Sequence, residues 1–190
     1  MPDGGRLIVI SAPSGAGKTT IAQEILRQNP SLAFSVSATT RPRRVSEIDG
    51  KDYVFLGKEE FRRRVEAGEF VEWEEIYGEL YGTLRSAIDV ALAEGKHLLF
   101  DVDVKGGLSI KQAYPQALLI FIAPPSAEAL RQRLIARHTE NAETLARRLA
   151  RVPMEMSLGE RFDHLVVNDD LAVAIREVQT LVSPFLFTRS

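Results

Sequence analysis

A glycine-rich segment, SAPSGAGKT at residues 11–19, carries the residue types that hold phosphate groups. It matches the pattern G-x-x-x-x-G-K-[ST], except that Ala12 replaces the first glycine. Gly15 and Gly17 allow successive backbone N–H groups to turn toward an anion. Lys18 would then reach the β- and γ-phosphates of a nucleoside triphosphate, and the Thr19 hydroxyl could ligate Mg²⁺. The spacing therefore predicts a nucleoside-triphosphate site; the alternative is a flexible glycine turn that caps a helix.

A carboxylate at the end of an apolar strand pattern is the second candidate. Residues 97–102 read HLLFDV, so the strand delivers Asp101 at its carboxyl end. A carboxylate in that position joins the Mg²⁺ shell of phosphate-loop enzymes. We expect Asp101 to act on the metal through a water molecule; the alternative is that it caps the next helix.

The elements that must position these residues alternate between two patterns. Apolar runs of strand length occur at residues 7–10, 97–102, 117–123 and 164–168, and helical patterns at 19–28, from about 105, and at 126–138 and 170–182. Buried strands separated by helices of 10–15 residues are typical of right-handed βαβ units. We expect an α/β fold with a parallel five-stranded sheet, flanked by helices, that carries the phosphate loop.

Two segments break this rhythm. Residues 35–82 are polar, with the strand-like alternation of DYVFL and EFVEWEEIY around one short helix, and Gly78 and Gly82 indicate a hairpin. We expect a small mixed-β lobe inserted there. The second segment, from Arg131 to Arg151, is polar and rich in arginine; its arginines, with one just beyond, are Arg131, Arg133, Arg137, Arg147, Arg148, Arg151 and Arg161.

Composition limits the classes of function. The chain has 190 residues, 24 basic and 26 acidic side chains and no cysteine, which excludes disulfides, zinc-thiolate sites and thiol nucleophiles. A net charge of -2 argues against general nucleic-acid binding. No apolar run approaches the roughly 20 residues of a membrane span, and the N-terminus does not read as a secretory signal. We expect a soluble, cytoplasmic protein with no nucleic-acid, membrane or obligate protein partner.

Several further blocks together resemble one known family. They are SVSATTRPRR at residues 35–44, DGKDY at 49–53, GEFVEW at 68–73, YGELYGT at 77–83, FDVDVKG at 100–106 and VVNDD at 166–170. In this order they resemble the guanylate kinase family over almost the whole chain. The resemblance implies the reaction ATP + GMP ⇌ ADP + GDP, with Mg²⁺ accompanying ATP and GMP or dGMP as acceptor. It also implies a core of residues 1–34, 85–125 and 159–190, a GMP-binding lobe of 35–84 and a lid of 126–158.

The resemblance also assigns roles in binding GMP. Guanine offers N1–H and N2–H₂ as donors, which a carboxylate can accept together, whereas adenine presents a bare N1 lone pair to it. By similarity that carboxylate is Glu72, with Asp103 as a further acceptor and hydroxyl groups directed toward O6. The phosphate would be held by arginines and phenols. The full set implied is Ser37, Arg41, Arg44, Tyr53, Glu72, Tyr81, Gly82, Thr83 and Asp103.

The same resemblance assigns the ATP site and the catalytic cations. The implied catalytic residues are Lys18, Arg41, Arg137 and Arg148, with Arg133 as a helper. Asn168 would lie near the adenine. The remaining ATP-binding positions follow the loop through Ser11, Ala12, Pro13, Ser14, Gly15, Ala16, Gly17, Lys18, Thr19 and Thr20, and the metal positions are Thr19 and Asp101.

Other interpretations of these residues remain open. Arg41 and Arg44 could be a solvated charge run, Glu72 the polar face of a strand, the two tyrosines lobe packing, and the arginine segment a solvent-facing helix. As functions, a non-catalytic phosphopeptide-binding module and another nucleoside-monophosphate kinase remain as alternatives. The chain also departs from the family pattern at Arg43, Ser46, Lys105, His138 and Pro153, and we expect Pro153 to kink or interrupt its helix.

Overall fold

The computed structural model of the chain describes residues 4–76, 78–136 and 142–187, apart from the side chains of residues 142 and 144. Along the chain the elements are β1 (Leu7–Ser11), α1 (Lys18–Gln28), β2 (Leu32–Phe34), β3 (Ala38–Thr39), β4 (Val54–Phe55), α2 (Lys58–Glu66), β5 (Phe70–Ile76), β6 (Glu79–Leu84), α3 (Arg85–Ala93), β7 (His97–Asp101), α4 (Val104–Ala113), β8 (Leu118–Ala123), α5 (Ala127–Ala136), α6 (Ala142–Gly159), β9 (His164–Val167) and α7 (Leu171–Phe187).

The larger sheet has five parallel strands in the order β2-β7-β1-β8-β9. All residues of β1 and β8 are buried, as their continuous apolar sequences require when helices cover both faces. On one face α1 and α7 pack through Ile21, Ile25 and Val178. On the other, α3 and α4 contribute Ile88 and Ile110. The predicted parallel five-stranded sheet is confirmed.

The topology positions the glycine-rich loop. The strand β1 lies between β7 and β8. The chain leaves β1 toward β2 on one side of it in the sheet, but leaves β8 toward β9 on the other side. A crevice opens at the carboxyl ends of the strands at such a switch point. In the register of β1 with β7, Ile10 lies beside Asp101, which brings that carboxylate next to the loop that follows β1.

A second, smaller sheet forms from residues 38–84. Its strand order is β4-β3-β6-β5, and it is mixed, because β3 pairs parallel with β4 and antiparallel with β6. Helix α2 covers it, and Phe61 stacks on Phe70 with ring centroids 4.3 Å apart. This lobe therefore has a small core of its own. The predicted mixed-β lobe is confirmed as a separate sheet.

Some elements differ from the sequence expectation. The edge strand β2 and the helix α3 were not located from the sequence. Helix α6 runs without interruption through Pro153, so the expected interruption does not occur. Its apolar residues pack on both sides of that position, with Val152 buried and Met156 and Leu158 against the core. Packing compensates for the missing backbone hydrogen bond. Among the described helices, none is long and apolar enough to cross a membrane.

Candidate active site

The loop between β1 and α1 is shaped by two glycines in the left-handed region. Gly15 has φ 90° and Gly17 has φ 96°, values that cost side-chain-bearing residues about 1 kcal/mol or more. A Cβ atom at Gly17 would also overlap Nδ2 of Asn168. Ala12, the departure from the sequence pattern, is buried within the core beneath the loop. The loop therefore tolerates alanine at its first position but requires glycine at its last.

The first residues of α1 meet the end of β7. Nζ of Lys18 lies 2.6 Å from Oδ1 of Asp101 and donates to the carbonyl of Val102 at 3.1 Å. Oγ1 of Thr19 donates to Oδ2 of Asp101 at 3.2 Å. Helix α4 is capped by Asp103, whose Oδ1 accepts from the N–H of Gly106 at 2.8 Å. Asp103, and not Asp101, is therefore the capping residue.

The donor set of this corner fits Mg²⁺. Thr19 and Asp101 present a hydroxyl and a carboxylate oxygen, the hard ligands that Mg²⁺ takes alongside phosphate oxygens and water. In the described part of the chain no three histidines, cysteines or acids form a cluster that could hold a metal alone. An ion bound here would therefore draw its other ligands from the nucleotide and from water.

Asn168, the residue after β9, supports the glycine-rich loop through a hydrogen bond. Nδ2 of Asn168 donates to the carbonyl of Ala16 at 2.8 Å, and its backbone N–H donates to Ala123 at 2.8 Å. Its Oδ1 is buried with no hydrogen-bond partner among the described residues. Arg133 donates to the carbonyl of Asp169 at 3.3 Å. A surface cavity between Arg133, Asn168 and the loop lies beside these contacts.

In the smaller sheet, Glu72 is held by its cross-strand partner. Glu72 on β5 lies opposite Thr83 on β6, whose hydroxyl donates to Oε1 at 2.5 Å. A Cβ atom at Gly106 would lie 3.0 Å from Oε2, so this glycine lets α4 approach the carboxylate. Burial raises the pKa of Glu72 to about 7, with smaller contributions from Asp103 and Glu74. Glu72 is thus a partly buried acceptor whose pKa lies near neutral pH.

Gly82 explains how the two strands approach each other so closely. A Cβ atom there would lie 2.7 Å from the carbonyl oxygen of Glu72 and 2.9 Å from Cβ of Trp73. The second glycine in YGELYGT, Gly82, is therefore required by backbone packing beside Glu72 and Thr83.

The same sheet places Ser37 immediately before β3, where its carbonyl accepts from the backbone N–H of Val54 at 3.0 Å.

The lobe also organises the predicted phosphate-binding arginines. Arg41 makes a two-pronged ion pair with Glu47, at 2.8 and 3.1 Å, and its guanidinium lies 5.3 Å from the ring centroid of Tyr53. The Tyr81 ring lies 6.3 Å from that of Tyr53. The backbone N–H of Arg44 donates to Glu47 at 2.8 Å. Arg41 and this N–H hold the pKa of Glu47 below its ordinary value. Arg41 is therefore an ordered group rather than a solvated charge.

Glu47 was assigned no role from the sequence, although it lies three residues after Arg44. Its place as an acid a few residues after two arginines was the available signal. The pairing itself depends on the turn at residues 44–47, in which the N–H of Glu47 donates to Arg44 at 3.1 Å.

Helix α6 closes one side of the cleft. NH1 of Arg148 donates to Oγ of Ser14 at 2.5 Å, which places this arginine on the phosphate loop. Arg151, one turn later, lies 3.0 Å from Glu74 and 3.4 Å from Asp103. The cleft between α6 and the loop is also lined by Lys18 and Glu155 and by parts of β5. Arg151, Glu74 and Glu155 had no assigned role in the sequence interpretation. The predicted Arg137 and the departure at His138 lie outside the described residues.

The comparisons with known proteins agree with this geometry. A family model described as guanylate kinase matches residues 4–184. The chain belongs to the guanylate kinase family.

Individual guanylate kinases match over nearly their whole length. The chain is 50% identical to the guanylate kinase of Salinibacter ruber over 98% of its own length and 99% of that protein. It is 47% identical to that of Symbiobacterium thermophilum over 94% of this chain and 84% of the relative. The crystal structure of guanylate kinase from Anaplasma phagocytophilum superposes with a TM-score of 0.74 at 29% identity, over 98% of this chain and 88% of the other. The resemblance found in the sequence motifs is confirmed.

Membership of the guanylate kinase family gives the two binding regions a common purpose. Phosphoryl transfer between nucleotides requires a phosphate-binding loop and a recognition site for the acceptor base that open into one cleft. In this chain Lys18, Asp103, Arg148 and the edge of β5 line such a cleft together.

Proposed function

We propose that this chain transfers the γ-phosphoryl group of ATP to GMP, giving ADP and GDP, through the residues assigned below. The observation that carries the proposal is the position of Glu72 and Thr83. A partly buried carboxylate and a hydroxyl, 2.5 Å apart, lie on the strand pair whose next cleft-facing residue, Glu74, lines the phosphate-loop cleft. Base recognition and triphosphate binding are thereby directed into one space.

Glu72 provides the discrimination against adenine. As a carboxylate it accepts both N1–H and N2–H₂ of guanine, while the N1 lone pair of adenine would face a negative charge without a hydrogen bond. Asp103 supplies a second acceptor on the same side, and Thr83 and Ser37 supply hydroxyls that rotate toward O6. Leaving buried polar groups unpaired by the wrong base costs about 1–3 kcal/mol for each group.

The acceptor phosphate is assigned to the arginine and tyrosine cluster of the lobe. The guanidinium of Arg41 is a planar fork that suits two phosphate oxygens, and in this structure it already makes such a two-pronged contact with Glu47. The phosphate of GMP would exchange places with this carboxylate. Arg44, Tyr53 and Tyr81 complete the proposed set, and the Tyr53 ring centroid lies 5.3 Å from the Arg41 guanidinium.

The ATP phosphates are assigned to the loop. Backbone N–H groups from Ser14 to Thr19 and the ammonium of Lys18 hold the β- and γ-phosphates at the start of α1. When Mg²⁺ is bound by Thr19 and, through water, by Asp101, it neutralises charge on these oxygens. Asn168 supports the loop by donating to the carbonyl of Ala16, and its Oδ1 is buried without a hydrogen-bond partner among the described residues.

Catalysis by these residues consists of alignment and charge neutralisation. The acceptor phosphate is already largely anionic near pH 7, since its second pKa is about 6, so no general base is required. Arg148, anchored on Ser14, and Arg137, predicted to approach from the segment before α6, would neutralise the transferring group. We assign residues 35–84 to the GMP-binding lobe, 126–158 to the lid and the remainder to the core.

A substrate comparison tests the proposal. ADP release would be measured with ATP and each of GMP, AMP, CMP and UMP, for the natural chain and for Glu72→Gln. We expect turnover with GMP far above that with the other three, and a selective loss of the GMP reaction in the variant. Preference for AMP or CMP would identify another nucleoside-monophosphate kinase. Binding of nucleotide without ADP release from any acceptor would indicate a non-catalytic module.

A further inference from the structure

One arginine joins three parts of the molecule that are distant in sequence. Arg151 on α6 lies 3.0 Å from Glu74 on β5 and 3.4 Å from Asp103 at the start of α4. Its Nε also lies 3.4 Å from Glu155, one turn further along α6. A single guanidinium thus faces three carboxylates, which lie on β5, at the start of α4 and on its own helix.

Two of the three carboxylates, Glu74 and Asp103, lie beside Glu72, the residue proposed to recognise guanine. Glu74 follows Glu72 by two residues on β5, so both side chains face the same side of that strand. Asp103 caps the helix whose Gly106 approaches Oε2 of Glu72. Asp103 and Glu74 both raise the pKa of Glu72, adding to the effect of its burial. The negative charge that disfavours an ionised Glu72 is therefore the charge that Arg151 contacts.

Other cations in the cleft are directed elsewhere. Lys18 pairs with Asp101, and Arg148 donates to Ser14. Glu155 is the most enclosed member of the cluster, with its side chain 10% exposed, and burial raises its pKa while Arg151 lowers it. Among the described residues, Arg151 is the cation that contacts both Glu74 and Asp103.

We propose that Arg151 is a positioning residue for base recognition: by pairing with Glu74 and Asp103 it neutralises the charges beside Glu72, so that Glu72 meets guanine as a carboxylate. The proposal rests on the proposed function, since it concerns the same base-recognition site. Arg151 does not need to contact either substrate. It acts through the two acids, and it links the smaller sheet to α6 while doing so.

The consequence is a dependence of GMP use on pH that Arg151 controls. Glu72 accepts from Thr83 on β6 and is influenced by Glu74 on its own strand and by Asp103 before α4. Arg151 on α6 contacts both of these acids and Glu155, and Lys18 pairs with Asp101. Removing the positive charge leaves the acids uncompensated, which raises the pH at which Glu72 ionises. Removing Glu74 instead takes away a negative charge beside Glu72 while Arg151 keeps its positive charge, which lowers that pH.

The experiment measures kcat/KM for GMP between pH 5.5 and 9 at saturating ATP, in the natural chain, Arg151→Gln, Arg151→Lys and Glu74→Gln. We expect the rising limb to move by about half to one pH unit upward in Arg151→Gln and downward in Glu74→Gln. Arg151→Lys should restore most of the natural profile because it keeps the charge. The double variant Arg151→Gln with Glu74→Gln should lie near the natural profile, and kcat/KM for ATP should change less than twofold.

The matched control is Arg147→Gln on the same helix, where the side chain pairs with the exposed Glu143 and the profile should not move. A lower kcat for Arg151→Gln with an unmoved limb would overturn the proposal and make Arg151 a group that acts on the transferring phosphate. If Arg151→Gln fails to fold, Glu74→Gln alone decides, because a limb that stays in place there also overturns it. Failure of the proposed function would appear separately, as absence of GMP phosphorylation by the natural chain.

Discussion

The two nucleotide-binding regions of this protein are built in different ways. The proposed triphosphate site is one continuous segment, in which backbone groups shaped by Gly15 and Gly17 precede Lys18 and Thr19. The proposed GMP site combines side chains from separate elements, with Glu72 on β5, Thr83 on β6 and Arg41 beyond β3. The first depends on local conformation and the second on tertiary packing.

The two regions also differ in how their charges are prepared. Lys18 is paired with a carboxylate that belongs to its own site, Asp101. In the lobe, Arg41 is paired with Glu47, which would have to release the arginine for it to bind phosphate as proposed. Burial disfavours the ionised form of Glu72. On the proposed assignments, substrate binding therefore reorganises the GMP side more than the ATP side.

The largest expected effect breaks the ATP side at its cation. Lys18→Met should lower kcat by about three orders of magnitude or more, because developing charge on the transferring group loses its partner. Turnover should be measured, and a circular dichroism spectrum recorded beside it to show that the fold persists. Lys96→Met, at an exposed lysine paired with Glu94, is the control and should behave as the natural chain. Near-natural turnover in Lys18→Met would contradict the assignment of the ATP site.

The next effect breaks the GMP side at its anion. Glu72→Gln should lower kcat/KM for GMP by an amount equivalent to a loss of about 2–4 kcal/mol in transition-state stabilisation, since an amide donor then faces the N–H groups of guanine. The KM for ATP should change little. Glu75→Gln, at an exposed residue on the opposite face of β5, is the matched control. An equal loss of kcat/KM for both substrates would show that Glu72 has a structural role instead.

A third variant tests whether the ATP site is built from backbone. Gly17→Ala removes no functional side chain, but it forces a Cβ onto a residue at φ 96° and against Asn168. We expect the KM for ATP to rise about tenfold, as a strain of 1–2 kcal/mol implies, with the KM for GMP nearly unchanged. Gly57→Ala, with negative φ and open space around its Cβ position, is the control. Natural ATP kinetics in Gly17→Ala would refute the backbone origin of this site.

The last prediction concerns pH and distinguishes the GMP side from the ATP side. The pKa of Glu72 is raised to about 7, and burial is the main cause. Because guanine requires the carboxylate, kcat/KM for GMP should rise about tenfold per pH unit below 7 and level off above it. The free protein should lose stability as the pH rises from about 4.5 to about 7, because over this range the folded state retains a proton on Glu72 that the unfolded state has released.

Thermal unfolding with and without GMP would measure this linkage. The stabilisation by GMP should grow as the pH passes from 6 to 8, and in Glu72→Gln only the titration of the GMP phosphate near pH 6 should remain. The same growth in Glu72→Gln would assign the pH dependence to another group.

The local parts of this protein could be predicted from the sequence. The glycine-rich loop, the strands β1 and β8 and the helix α1 follow from short-range patterns, because backbone conformation and burial on both faces leave a direct mark on neighbouring residues. The edge strand β2 and the helix α3 left weaker marks. β2 has only three residues, and its side chains at Ala33 and Phe34 are exposed.

The site required both levels. The sequence by itself determined the phosphate loop, the acid at the end of β7 and, through the family motifs, Glu72 and Thr83 as predicted guanine-binding residues. Only the tertiary structure showed that Thr83 donates to Glu72. It alone also showed that Glu47 holds Arg41 and that Arg151 contacts Glu74 and Asp103. The physical reason is distance along the chain. Arg151 lies 77 residues from Glu74 and 48 from Asp103, and their charges meet only after α6 and β5 have packed around the same cleft.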